Sequence, residues 1–129
     1  MSGEEKGGGS VSRIELRLSV RGRGEARLSF YRHLAPVTVG TLTRSLPIES
    51  RATVQPGMVC LFTSVRVGVE KPRVSFGRGD VAFLPLNSLV CIFLRDAKSE
   101  RPLNPTGRVD IGLDVLESVK PGDVLTLRQ

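Results

Sequence analysis

The chain has few of the side chains on which many catalytic and metal sites depend. Its 129 residues include one histidine, His33, two cysteines and no tryptophan. Cys60 and Cys91 lack the Cys-x-x-Cys spacing of zinc and redox motifs. Because His33 has no catalytic motif around it, a Ser-His-Asp triad is not indicated either. The sequence therefore predicts no metal site and no cofactor.

Aromatic residues are also scarce, which bears on the positive charge of the chain. Lysine and arginine outnumber aspartate and glutamate by 19 to 13, giving a net charge of +6. Positive charge favours phosphate binding, but Tyr31 and 5 phenylalanines leave little for a platform on which bases stack. The first arginines interleave with acidic residues on the outward face of a predicted hairpin: Arg13, Arg17, Arg21, Arg23 and Arg27. We interpret them as a solvated strand face and do not expect nucleic acid as a partner.

Long hydrophobic runs are absent. No apolar segment approaches the length of a membrane-spanning helix, and no charged-then-apolar leader opens the chain. We therefore expect no membrane contact and a cytoplasmic protein. Residues 1–11 are rich in glycine and polar side chains, which predicts a flexible tail. Residues 12–129 are long enough to form one domain with an ordinary core.

Two neighbouring patterns are clear. Apolar and polar residues alternate strictly in RIELRLSVR, which predicts a strand with one buried face. A second strand, predicted over residues 25–30, is followed by Ala35-Pro36. Proline suits the first turn of a helix because its missing N–H would be unpaired there anyway. A buried helical stripe is indicated by the i, i+3, i+7 spacing of Val39, Leu42 and Leu46.

The rest of the chain has the pattern of short strands. Apolar runs predict strands over 57–67, 79–86 and 89–95, the last two joined by a tight turn at Asn87-Ser88. Residues 96–105, which include two prolines, are expected to form a long polar loop. A strand, a short helix and a final strand follow. These elements predict a mainly β fold: a closed barrel of about eight strands whose ends are capped by one or two short helices.

Both cysteines lie in strongly apolar predicted strands. Buried thiols commonly act as small hydrophobic side chains. A disulfide between Cys60 and Cys91 is the alternative, and it requires that their strands be neighbours with close Cα atoms. The sequence leaves both interpretations open.

The order of these motifs resembles the cyclophilin family. Residues 35–38 are similar to the Ala-Pro-x-Thr start of the family's helix, and GDVA at 79–82 with CIFL at 91–94 is similar to its paired central strands. GRV at 107–109 and GLDVL at 112–116 are similar to its closing segment. The spacing resembles a small prokaryotic or archaeal branch of compact cyclophilin-like proteins. The resemblance implies a closed barrel that binds ligands on one barrel face.

The catalytic motif of the family is not matched. Cyclophilins place an arginine beside an apolar proline pocket, using Phe-x-Arg after the helix and then a Phe-x-x-Gln-Gly-Gly strand. Here Phe30-Tyr31-Arg32 precedes the helix, and Gln55-Pro56-Gly57 stands in place of Gln-Gly-Gly. Of the family's Gln-Phe-Phe, only Phe93 carries over. Isomerase activity is therefore uncertain, with Arg51 and Arg66 as candidates for a displaced arginine.

An apolar pocket is the favoured binding site. Met58 and Phe62 share one parity of a predicted strand, and Phe83 and Phe93 on later strands could join them. The alternative places these four in the barrel core and both arginines in solvent. We favour a module that binds a proline-containing peptide or a small apolar ligand. A peptidyl-prolyl isomerase and a nucleic-acid-associated accessory protein are the alternatives, and the sequence specifies neither the ligand nor the oligomeric state.

Overall fold

A computed structural model describes residues 12–129, so the tail predicted for residues 1–11 lies outside the described residues. This part of the chain forms nine strands and two short α-helices. The elements are β1 Arg13–Val20, β2 Gly24–Tyr31, α1 Pro36–Arg44, β3 Ile48–Gln55, β4 Met58–Phe62, β5 Arg73–Phe76, β6 Asp80–Leu84, β7 Leu89–Phe93, β8 Ala97–Ile111, α2 Leu113–Glu117 and β9 Val124–Arg128. Within these residues no helix is long and apolar enough to cross a membrane.

Eight of the strands close into an antiparallel barrel. Their order is β2-β1-β9-β3-β4-β7-β6-β8, and β8 pairs back onto β2. Closure leaves none of these strands with a free edge along the sheet. The ninth strand, β5, pairs with the first half of β8 outside this circuit. The predicted mainly β, closed barrel of about eight strands with short helices is therefore confirmed.

The barrel interior is filled by the alternating apolar residues that the sequence pattern indicates. In β1 and β2 the inward positions are all buried: Ile14, Leu16, Leu18, Val20, Ala26, Leu28 and Phe30. Val39 and Leu42 of α1 and Leu116 of α2 belong to the same cluster. Each helix thus buries an apolar side against the barrel core.

The seam where the barrel closes requires a glycine. Gly107 of β8 lies opposite Phe30 of β2. A Cβ atom at position 107 would overlap the backbone carbonyl of Ser29. The two strands can approach this closely only because Gly107 has no side chain.

The predicted polar loop over residues 96–105 is wrong. All of them except Asp96 belong to the first part of β8, a strand of 15 residues. Their composition does not indicate a strand, but pairing with neighbouring strands holds them in an extended conformation. Leu103 lies opposite Arg73 of β5, and Pro105 lies opposite Ala82 of β6. The register shifts beside Ala82, and such irregularities are where a sheet accommodates a proline that cannot donate a hydrogen bond.

Two further boundaries differ from the prediction. The strand expected over 57–67 ends at Phe62, and a loop of irregular backbone follows it. The β6–β7 connection is longer than a two-residue turn, because Leu84 pairs with Leu89. Within it, Ser88 and not Asn87 adopts positive φ, at 54°.

Candidate functional site

One wall of the barrel is apolar on both faces. Successive side chains of a strand point to opposite sides of a sheet, so β4, β6 and β7 contribute to the interior and also to a second cluster outside it. This outer-face cluster comprises Cys60, Phe76, Ala82, Leu89, Cys91, Phe93 and Leu103, with Met58 and Leu84 packed against it. The Phe76 ring from β5 stacks on Phe93 with centroids 4.7 Å apart. β5 and β8 therefore cover part of this outer wall.

Part of the outer-face cluster lines a groove of about 380 Å³, the β4–β7 groove. Its floor is apolar and rich in sulfur: Met58, Cys60, Leu84, Leu89, Cys91 and Leu103. Its rim is polar: Gln55, Asn87, Ser99, Glu100 and Arg101. An apolar floor with a few polar groups at its edge is the usual composition of a small-molecule or peptide site.

A second depression of about 390 Å³ adjoins the β4–β7 groove. Leu84 and Arg101 line both depressions, and the second adds Val69, Pro85, Leu86 and Pro102. Val69 is 61% exposed and Leu86 is 71% exposed, so the second depression presents a patch of exposed apolar side chains. Among residues 12–129 the Arg101 guanidinium has no hydrogen-bond or ion-pair partner, so its donors are available to a ligand.

The loop that carries Val69 is held in place by a buried polar network. Asn104 of β8, which is fully buried, accepts a hydrogen bond from Glu70 N at 2.8 Å and donates to Gly68 O at 2.9 Å. Asn104 also donates to the Thr38 hydroxyl at 3.0 Å. The second depression is therefore built on a fixed loop.

Glu70 of the same loop caps helix α1. Its carboxylate accepts hydrogen bonds from Val37 N at 3.0 Å, Thr38 N at 2.8 Å and the Thr38 hydroxyl at 2.7 Å. Partial burial raises the pKa of Glu70, but these hydrogen bonds and the charge of Lys71 outweigh it, so the pKa lies below its ordinary value. The Ala-Pro-x-Thr segment thus begins a helix whose N-terminal N–H groups are satisfied by a distant loop.

The two cysteines lie side by side on the floor of the groove. Cys60 and Cys91 are direct cross-strand partners, and both are free thiols whose sulfur atoms lie 3.3 Å apart. The hydrogen bond between Cys60 and Cys91 lowers the pKa of Cys60 against the opposing effect of burial. The same hydrogen bond, together with burial, raises the pKa of Cys91.

The four predicted pocket residues do not line one cavity. Met58 lies on the floor of the groove, and Phe93 lies in the outer-face cluster beneath Phe76. Phe83 points into the barrel interior and is 0% exposed, whereas Phe62 at the end of β4 is 51% exposed and outside the groove lining.

The two candidate arginines also lie away from the groove. Arg51 of β3 donates to Gly122 O at 3.1 Å, and Arg66 is exposed in the loop after β4. Neither lines the groove or the second depression. Sequence reasoning missed Arg101 because residues 96–105 have the composition of a loop. The one available signal was Leu103, an apolar residue within that polar stretch.

Two other hollows on the barrel surface are also lined by arginines, of which one in each hollow is paired. In one, Arg13 pairs with Asp110 at 3.6 Å, and in the other Arg108 pairs with Asp80 at 2.6 Å. No group of three or more His, Cys, Asp or Glu side chains able to hold a metal ion occurs in the described part of the chain. The β4–β7 groove combines an apolar floor with the Arg101 guanidinium, which has no partner among residues 12–129.

Comparison with known proteins relates this barrel to two solved structures. No protein-family model and no curated protein matches the sequence. The chain is similar to the solution structure of the hypothetical protein AF2241 from Archaeoglobus fulgidus, with a TM-score of 0.76 and 23% identity over 91% of this chain and 95% of that one. It shares this fold. It is also similar to McbB in complex with tryptophan, with a TM-score of 0.74 and 13% identity over 88% of this chain, which spans 44% of the McbB chain.

Proposed function

We propose that this protein is a binding module that holds an extended peptide or a small apolar ligand in the β4–β7 groove. This proposal rests on the composition of the groove, whose apolar floor runs from Met58 to Leu103 and is bordered by Arg101, a side chain without a partner in the described part of the chain. Burial of apolar ligand surface on this floor supplies affinity, at roughly 25 cal/mol per Å² before the costs of association.

The second depression favours an elongated ligand. Leu84 and Arg101 lie at the junction of the two depressions, so a chain that occupies both crosses these two residues. A guanidinium at such a crossing can donate hydrogen bonds to a peptide carbonyl or to a carboxylate. Arg101 would then fix the position of the ligand, while the apolar residues on either side bind its side chains.

The resemblance to cyclophilins and the similarity to McbB each suggest a ligand to test. Likeness to cyclophilins supports proline-containing peptides, and the McbB structure, which is a complex with tryptophan, supports a small ligand for this fold. We therefore propose X-Pro peptides and free tryptophan as the first ligands to test. A cyclophilin-like origin of the barrel belongs to the same proposal.

A matched pair of variants tests the site. Leu86 and Ile111 are both exposed aliphatic residues, 71% and 66%, but only Leu86 lines the second depression. Titration of the ¹⁵N-labelled protein with X-Pro peptides should shift the amide signals of β4 and β7. Leu86→Ala should weaken peptide binding by about fivefold, the effect of roughly 1 kcal/mol of lost apolar burial, and Ile111→Ala should not. Equal affinities of the two variants would contradict a ligand that extends into the second depression, and unchanged signals in β4 and β7 would contradict binding in the β4–β7 groove.

Prolyl isomerisation is the second candidate, and Arg101 is the observation that favours it. An arginine beside an apolar floor is the arrangement that the cyclophilin mechanism uses, although it comes from a different strand here. NMR exchange on X-Pro peptides measures cis–trans interconversion directly, against an uncatalysed time of tens of seconds. Loss of exchange in Arg101→Gln but not in Arg66→Gln would support an isomerase centred on Arg101. Peptide binding without exchange would leave the protein a binding module.

A further inference from the structure

The cysteine pair on the groove floor goes beyond ligand binding. Cys60 on β4 and Cys91 on β7 are direct partners, and their sulfur atoms lie 3.3 Å apart as free thiols. Two cysteines serving only as small hydrophobic residues could occupy any positions in the apolar wall. Their placement opposite each other brings two nucleophilic atoms into contact.

The register of the ladder places the pair at a position suited to cross-linking. Leu94 N donates to Gly57 O at 2.8 Å, which makes these two a hydrogen-bonded pair. Hydrogen-bonded and non-hydrogen-bonded pairs alternate along an antiparallel pair of strands. Cys60 and Cys91 lie three positions from the Gly57–Leu94 pair, which is an odd number. They therefore form a non-hydrogen-bonded pair, in which Cα atoms are about 4.5 Å apart and side chains approach closely. This separation falls at the short end of the range of about 4.4–6.8 Å seen for disulfides.

The pair lies directly beneath the floor of the β4–β7 groove. Both residues belong to the groove lining, and their own exposure is 0% and 1%. No third cysteine is present in the chain to compete for either sulfur. The hydrogen bond between the two thiols lowers the pKa of Cys60 while burial opposes it, and the thiolate is the nucleophilic form of a cysteine side chain.

We propose that Cys60 and Cys91 are an oxidation site, which a peroxide converts into an intramolecular cross-strand disulfide on the floor of the groove. The Cys60 thiolate attacks a peroxide oxygen, the O–O bond breaks, and a sulfenic acid forms with release of hydroxide, which takes up a proton to become water. The Cys91 sulfur then attacks the sulfenic sulfur, an S–S bond forms, and the second water leaves with the Cys91 proton. Overall, two thiols lose two electrons and one hydrogen peroxide is reduced to two waters.

Oxidation changes the surface that a ligand would meet. The sulfurs must move from 3.3 Å to a covalent distance of about 2.05 Å, and the two thiol hydrogens leave the groove floor. The oxidation site is independent of the proposed ligand, because its formation is measured on the protein alone. A disulfide without any peptide binding would sustain this inference and contradict the proposed function.

The experiment uses the full chain in its folded state. The folded protein is treated with hydrogen peroxide and then unfolded in urea, the remaining free thiols are alkylated, and intact mass and peptide mapping are recorded. We expect a monomer that has lost two hydrogen atoms, no longer accepts alkylating agent, and yields a peptide that links Cys60 to Cys91. A reductant should restore both thiols.

Single variants and an unfolded sample separate this site from ordinary thiol oxidation. In Cys60→Ala and Cys91→Ala the cross-link should be absent, and the remaining thiol should give only sulfenic or higher oxides. A urea-unfolded sample oxidised in parallel shows that the reagent is competent. Full alkylation of both thiols in the treated native protein, or cross-linking only between chains, would overturn the inference.

Discussion

Asn104→Ala should destabilise the protein, because it removes the hydrogen bonds that hold the loop beside the second depression. Its amide makes three hydrogen bonds, at 2.8 Å with Glu70 N, 2.9 Å with Gly68 O and 3.0 Å with the Thr38 hydroxyl. In Asn104→Ala the Thr38 hydroxyl keeps its bond to the Glu70 carboxylate. The Glu70 N–H and the Gly68 carbonyl lose their partner, so the loop loses both of its backbone anchors to β8.

The expected loss follows from these bonds. A net contribution of about 1 kcal/mol for each of three hydrogen bonds gives a decrease of roughly 3 kcal/mol in the free energy of unfolding. Urea denaturation measures this decrease from the shift of the midpoint at unchanged slope. Amide hydrogen exchange at Glu70 should accelerate in the same variant, because its N–H becomes open to water.

A second asparagine provides the control. Asn87 is exposed in the β6–β7 turn and makes no side-chain hydrogen bond within residues 12–129, so Asn87→Ala should change stability by no more than about 0.5 kcal/mol. If Asn104→Ala and Asn87→Ala destabilise the protein equally, or exchange at Glu70 is unchanged, then the network does not hold the loop.

Two further predictions concern the helix cap and the barrel seam. Because the folded pKa of Glu70 is lowered, its stabilising effect is complete above the unfolded value of about 4.3 and is lost as pH falls through the folded value. Urea unfolding across pH should therefore find Glu70→Gln less stable than wild type at neutral pH, with the difference vanishing in acid; a difference independent of pH would contradict the cap. Gly107→Ala should lower the free energy of unfolding by roughly 3 kcal/mol, because the added Cβ overlaps the carbonyl of Ser29. Gly68→Ala is the control: its Cβ would meet nothing within 4 Å, so it should change the free energy of unfolding by less than about 0.5 kcal/mol. Similar denaturation midpoints for these two glycine variants would show that the seam can relax.

Short sequence patterns correctly predicted the elements that are determined by residues close together in the chain. Strict alternation defined β1 and its buried face, and Ala35-Pro36 marked the start of α1, because both signals lie within a few residues. The loop predicted over 96–105 failed for the opposite reason. Its order comes from pairing with β5 and β6, elements that a polar, proline-containing segment does not reveal.

The candidate site was predictable only in part, for a geometric reason. When a strand is apolar on both parities, the sequence cannot distinguish the parity that faces the barrel interior. Phe83 and Phe93 have similar surroundings in sequence, yet Phe83 fills the core and Phe93 packs outside it. Met58, one of the four predicted pocket residues, lies on the groove floor, whereas Arg101 could be found only from the path of β8.

The division of the groove into floor and rim has an evolutionary consequence. Every residue of β7 is buried, since the strand is covered on both sides, and a change on the floor therefore alters the packing of the outer-face cluster. Asn87, Glu100 and Arg101 on the rim are exposed and can be exchanged at little cost in stability. Descendants of a common ancestor would accordingly retain the floor and diverge at the rim, so that new specificities arise without a new fold.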